Sequence, residues 1–107
     1  MIKVVYEVNP MKLTVKGHAN SGEVGHDLVC ASASILVYTL ASFAKNTHKA
    51  HQSKKLVIKL KEGDAEISFK AKARYRAAIT LVCNAICGGF QLLAYNYPEN
   101  ISYEIKL

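Results

Sequence analysis

The stretch Leu56–Lys70, LVIKLKEGDAEISFK, decides the fold class. Leu56, Ile58 and Leu60 alternate with Val57, Lys59 and Lys61. After the turn Glu62-Gly63-Asp64 the alternation resumes, with Ala65, Ile67 and Phe69 set against Glu66, Ser68 and Lys70. A period of two gives each strand one apolar and one polar face, and the polar turn joins them as a hairpin. Such a hairpin needs another layer over its apolar side and leaves the other side in water.

Downstream, Ile79, Val82, Cys83, Ile86, Phe90 and Leu93 recur at spacings of three and four, which predicts a helix from about Arg74 to Ala94. Gly88-Gly89 lies inside it and costs roughly 1 kcal/mol per glycine against alanine, so the pair signals close packing or a kink. Tyr97-Pro98-Glu99-Asn100 turns the chain into a last strand carrying Ile101, Tyr103, Ile105 and Leu107. Upstream, Ile2, Val4, Tyr6 and Val8 form a strand, Asn9-Pro10 turns it, and Met11–His18 returns as its hairpin partner.

Asn20 to His26 holds two glycines and no apolar period, and reads as a mobile loop. Asp27 is a good N-cap for a helix over Leu28–Asn46. Apolar residues lie nearly all round that helix, implying burial over most of its surface. The polar run Lys45–Lys55 reads as a solvated connection. The order is ββαββαβ: an α+β two-layer sandwich, its five-stranded antiparallel or mixed sheet carrying two helices on one face. The 107 residues form a single domain, 1–107.

Half the chain is hydrophobic, enough for a core without a cofactor or disulfide staples. Fourteen Lys and Arg against eight Asp and Glu give a net +6, which favours anionic partners such as RNA. Three cysteines, none in a C-x-x-C arrangement, argue against a disulfide framework and for a reducing cytoplasm. The N-terminus has no signal-peptide pattern, and the apolar run from Ala31 to Ala44 is too short to span a bilayer, so a soluble protein is expected.

The chemistry concentrates in Gly17–Leu36, GHANSGEVGHDLVCASASIL. His18 ends a strand on the face away from Leu13 and Val15. Cys30 falls in the expected first turn of a helix, where unpaired amides favour a thiolate and could bind an oxyanion. A capping Asp27 would fix the backbone beneath Cys30, and Ser34 shares its face one turn on. Together they point to Cys–His nucleophilic catalysis. Structural readings stand beside it. A cysteine in an apolar helix serves as a small hydrophobe, the reading that suits Cys83 and Cys87. His18, His26 and Cys30 could meet at a metal, but their spacings match no zinc pattern and no fourth ligand is evident. No metal or cofactor is expected. His48 and His51 sit in lysine-rich surroundings. Without a stacking motif or a G-x-x-G loop, RNA contact would be non-specific.

Gly17-His18-Ala19, Gly25, Asp27, Val29-Cys30-Ala31 and Ser34 resemble the signature of the ribosomal-processing cysteine proteases, the Prp family. Chain length and element order fit that family too. The resemblance implies a cysteine endopeptidase that removes the N-terminal extension of large-subunit ribosomal protein twenty-seven during ribosome assembly. It implies Cys30 as nucleophile and His18 as general base and acid, with Asp27 and Ser34 in support. The loop Asn20, Ser21, Gly22, Glu23, Val24 and Gly25 would gate the substrate. It further implies a homodimer working near ribosomes or RNA, with no membrane involved. The alternative is a non-catalytic basic module that binds RNA or ribosomes, with Cys30 structural. The charge itself does not explain attraction to a ribosomal protein, since such proteins are basic.

Overall fold

The computed structural model describes residues 1–18 and 24–107, and for 24–27 the backbone alone. The elements are β1 (Ile2–Glu7), β2 (Met11–Lys16), α1 (Val24–Lys49), β3 (Ser53–Lys61), β4 (Asp64–Ala71), α2 (Arg76–Asn96) and β5 (Ile101–Lys106), with a short 3-10 turn at Ala73–Tyr75 before α2. The expected ββαββαβ order and both hairpins are present. The five strands lie in the order β3-β4-β2-β1-β5. Only the β1–β5 pair is parallel, so the sheet is mixed.

The alternation read from the sequence governs which side chains reach the core. Ile2, Val4 and Tyr6 of β1, Met11 and Leu13 of β2, and Ile67 and Phe69 of β4 are all buried beneath the helices. Val29, Leu40 and Ala44 of α1 and Ile79, Cys83, Cys87 and Phe90 of α2 close the core from above. Tyr6 donates its hydroxyl to Oδ1 of Asn84 at 2.7 Å, which satisfies the polar end of a buried ring. Burial raises the Tyr6 pKa well above the ordinary phenol value.

Three expectations need correction. First, α1 begins at Val24 rather than after Asp27, so Asp27 stands inside the helix and is not its N-cap. Second, α1 runs on to Lys49 and β3 begins at Ser53, so most of the polar run is regular structure. Buried Thr47 anchors this junction: its Oγ1 donates to the Ala44 carbonyl at 3.0 Å and lies 3.3 Å from Ser53 Oγ. Third, α1 is not buried all round, because Leu28, Ile35 and Tyr38 are each more than half exposed. Leu81, Leu92 and Tyr95 of α2 are likewise exposed. By length and composition both helices could cross a bilayer. In this fold each lays one side on the sheet and turns an apolar side outward.

The glycine pair in α2 divides by role. A Cβ on Gly89 would lie 2.6 and 2.9 Å from the two methyls of Leu36, so this glycine lets α1 and α2 approach closely. Nothing lies within 4 Å of a Cβ built on Gly88. Gly88→Ala should therefore raise stability by about 0.5–1 kcal/mol through helix propensity. Gly89→Val should lower it by roughly 1–3 kcal/mol through overpacking. Urea denaturation of both variants checks this, and equal responses would show that the helices do not depend on the close approach.

Candidate active site

β2 ends at Lys16, and the chain turns at Gly17, whose N–H donates to the carbonyl of Gly63 at 2.9 Å. Gly63 is the tip residue of the β3–β4 hairpin, at φ +73°, a conformation glycine adopts without strain. The register Lys16 opposite Asp64 leaves the two turns side by side. His18 follows directly, and its ring lies over Gly63. A Cβ on Gly63 would come within 2.5 Å of Nε2 and 2.7 Å of Cε1. The backbone carbonyl of His18 accepts a hydrogen bond from the Met1 amine at 2.7 Å. The main chain at His18 is thus tied at one end of the sheet, while the imidazole itself has no hydrogen-bond partner among the described residues.

Cys30 faces the same place from the helix layer. It is half-buried, packs against the core, and lines with His18 and Ser34 a cleft of about 440 Å³. Ile2, Val15, Ala33 and Val37 give this cleft an apolar floor. The β3–β4 hairpin forms one wall, with Lys61, Glu62 and Asp64 at its rim, and Tyr38 borders it from α1. Lys59 donates to Asp64 at 2.7 Å, and that cation holds the Asp64 carboxyl below the usual range.

Cys30 is the seventh residue of α1, in its second turn, not in its first. Its amide therefore lies within the intrahelical ladder, and the terminal partial charge fades beyond the first turn. The Cys30 amide itself is therefore not one of the free helix N-terminal amides expected to bind an oxyanion. The His18 imidazole borders the same cleft from the sheet end. Ser34 sits one turn on and is exposed to the cleft, as the spacing implied. The side chains of His26 and Asp27 and the gating segment Asn20, Ser21, Gly22 and Glu23 lie outside the described residues. Val24 and Gly25, read as part of that loop, open α1 instead. No group of three or more metal-binding side chains occurs among the described residues.

The hairpin wall was not read as part of the site from the sequence. Glu62-Gly63-Asp64 announces a turn and nothing more, because its role comes from strand pairing across the sheet. Cys83 and Cys87 fall on the far side of the chemistry. Both are buried in the core, and burial pushes their thiols up to about 12.

Residues 1–102 match the family model described as Cysteine protease Prp. The chain belongs to the Prp cysteine protease family. It is a cysteine peptidase. Its fold is similar to that of the S. aureus essential ribosomal processing protease Prp, solved in complex with a substrate peptide. That similarity has a TM-score of 0.71 at 26% identity, over 99% of this chain and 100% of the other. The S. aureus Prp with a covalently linked product peptide matches equally, with a TM-score of 0.71 at 27% identity over the same shares. A protein of Streptococcus mutans shares the fold with a TM-score of 0.65 at 24% identity, over 97% of this chain and 90% of that one. No curated protein matches in sequence.

The three thiols of this Prp-family chain should separate cleanly under alkylation. Burial shifts Cys83 and Cys87 from 9.0 to about 12, which leaves on the order of a thousandfold less thiolate at neutral pH. Iodoacetamide at pH 7 should label Cys30 alone in the folded protein, and Cys30→Ala should remain unlabelled until denatured. Peptide mass spectrometry reads the outcome, and early labelling on α2 would contradict the burial.

Proposed function

We propose that this chain removes the N-terminal extension of large-subunit ribosomal protein twenty-seven through a Cys30–His18 dyad. The observation that carries the reading is that a half-buried Cys30 and an accessible His18 line one cleft in a member of the Prp family. The similar S. aureus protease binds a substrate peptide in one structure and a covalently linked product peptide in another, which supports a peptide substrate and covalent catalysis here.

In this mechanism the imidazole takes the Cys30 proton, and the thiolate attacks the scissile carbonyl. Collapse of the tetrahedral intermediate breaks the peptide bond, leaving a thioester on Sγ while the imidazolium protonates the departing amine. His18 then deprotonates a water that hydrolyses the thioester and releases the acid. The apolar floor of Ile2, Val15 and Val37 supplies burial for a substrate side chain, and the polar rim leaves the peptide backbone solvated. Asp27 and Ser34 remain supporting residues in this reading, Ser34 by its place in the cleft. The Asn20–Glu23 segment keeps its proposed role of gating the substrate. A dyad is preferred to a triad because no side chain orients the imidazole among the described residues. Three free cysteines suit a cytoplasmic protein.

A second copy of the chain is the proposed occupant of the outward apolar side of α1 and α2. There Ile35, Phe43, Val82 and Ile86 line a groove of about 520 Å³. Tyr38 borders both this groove and the cleft, so a partner seated there would adjoin the site. Leu81 of α2, next to Val82, is 71% exposed. Sedimentation of the parent should show a dimer, and Ile35→Asp with Leu81→Asp should shift it to monomer. A monomeric parent at tens of micromolar would reject the arrangement.

Cleavage of a peptide carrying the ribosomal protein's N-terminal extension tests the chemistry. Cys30→Ala should abolish turnover, and His18→Ala should lower kcat by at least about a hundredfold. Both variants should bind the peptide with little change in affinity. Undiminished cleavage by Cys30→Ala would sink the nucleophile assignment.

A further inference from the structure

The cleft and the helices occupy one side of the sheet, and the other side carries most of the chain's excess positive charge. Lys3 and Lys16 stand directly opposite one another across β1–β2. Lys54 and Lys70 do the same across β3–β4, on the same open face. Like charges directly opposite on neighbouring strands destabilise a sheet. Among the described residues the one ion pair is Lys59–Asp64; Asp64 also stands opposite Lys16 across β2–β4 and feels its charge, whereas the Lys54–Lys70 pair has no carboxylate in contact. Lys12 adds to the face between them. The carboxylates there, Glu7, Asp64, Glu66 and Glu104, are outnumbered by the lysines.

We propose that this open face docks the phosphate backbone of structured RNA while the opposite side of the molecule cleaves its peptide. An anionic polymer crossing the sheet turns the two repulsive lysine pairs, none of whose four residues lines the cleft, into attractive contacts. The dimensions suit a polymer rather than a single anion. Lys16 and Lys70 lie near opposite ends of the face, about 20 Å apart at roughly 3.3 Å per residue along β4. No Phe, Tyr or Trp occupies the outward positions of the strands, where Val5, Thr14, Val57, Ser68 and Ser102 fall between the charged residues. Bases therefore have nothing to stack on, and recognition is by phosphate charge and shape, as on a duplex. The face also gives the net +6 a use that a basic substrate protein does not.

The choice of RNA over other polyanions rests on the ribosomal processing reading. The full-length chain is titrated against a fluorescent RNA hairpin duplex, a DNA duplex of the same length and phosphatidylserine vesicles, over a salt series. The RNA duplex should bind most tightly, with log K falling linearly in log salt. Lys54→Glu with Lys70→Glu should weaken RNA binding at least tenfold and reduce the salt slope by about two, at about 0.9 per phosphate contact. The Gln pair at the same positions should weaken it as well, with a melting temperature no lower than the parent's, because it relieves repulsion. A structural role for these lysines would instead lower that temperature. All variants should cleave the free peptide at the parent rate. Absent RNA binding at about 50 mM salt, binding unchanged by charge reversal, or preference for DNA or vesicles would each overturn the proposal. RNA binding without peptide cleavage would overturn the processing reading and leave the docking face intact.

Discussion

The register between β2 and β4 is the constraint on which the rest depends. Lys16 opposite Asp64 places the end of one hairpin beside the tip of the other, and the Gly17 N–H bond to the Gly63 carbonyl extends the pairing by one step. Side chains alternate with period two, so a slip by one residue would send Leu13 and Ile67 into solvent and draw Lys12 or Glu66 under the helices. The core therefore enforces the register, and the register brings His18 over Gly63. A hydrophobic requirement at the middle of the sheet thus fixes the position of the cleft's imidazole at its edge.

The same sheet separates two kinds of surface. Its covered side supplies the floor of the cleft, with Ile2 and Val15 beneath Cys30 on α1. Its open side carries lysines. Between them, α1 and α2 face the sheet with one stripe and turn a second apolar stripe outward. Gly89 allows the two helices to close on each other over Leu36, which brings those outward stripes together as one surface. The cleft, the proposed self-association groove and the proposed polyanion face lie on three different sides, meeting at Tyr38 between cleft and groove and at Lys61 and Asp64 between cleft and open face.

Reactivity follows burial as well as charge. The thiols of Cys83 and Cys87 lie in the core and are held protonated, whereas Cys30 borders open space with an imidazole in the same cleft. The move of the helix start from Asp27 to Val24 matters here. It takes the Cys30 amide out of the terminal turn of α1.

Much of the fold was legible in the sequence because strand alternation and helical spacing are local. The two hairpins and both helices followed from periods of two and of three to four residues. But β2 ends at Lys16, so the alternation that set His18 on the face away from Val15 does not reach it, and His18 lines the cleft with Val15. The boundaries of α1 did not, because Asp27 is as good a capping residue as any in the stretch and a chain alone does not say which cap is used. Nor did the exposure of Ile35 and Leu81, since an all-round apolar helix reads as buried whether or not a neighbour covers it. Cys30, His18 and Ser34 were identifiable as residue types in a motif. Their meeting in one cleft, the wall supplied by Glu62, Gly63 and Asp64, and the lysine pairs across the open face were decided only by strand pairing between distant segments. Local periodicity determines which face of an element is apolar, whereas only packing determines which residues of two elements stand opposite.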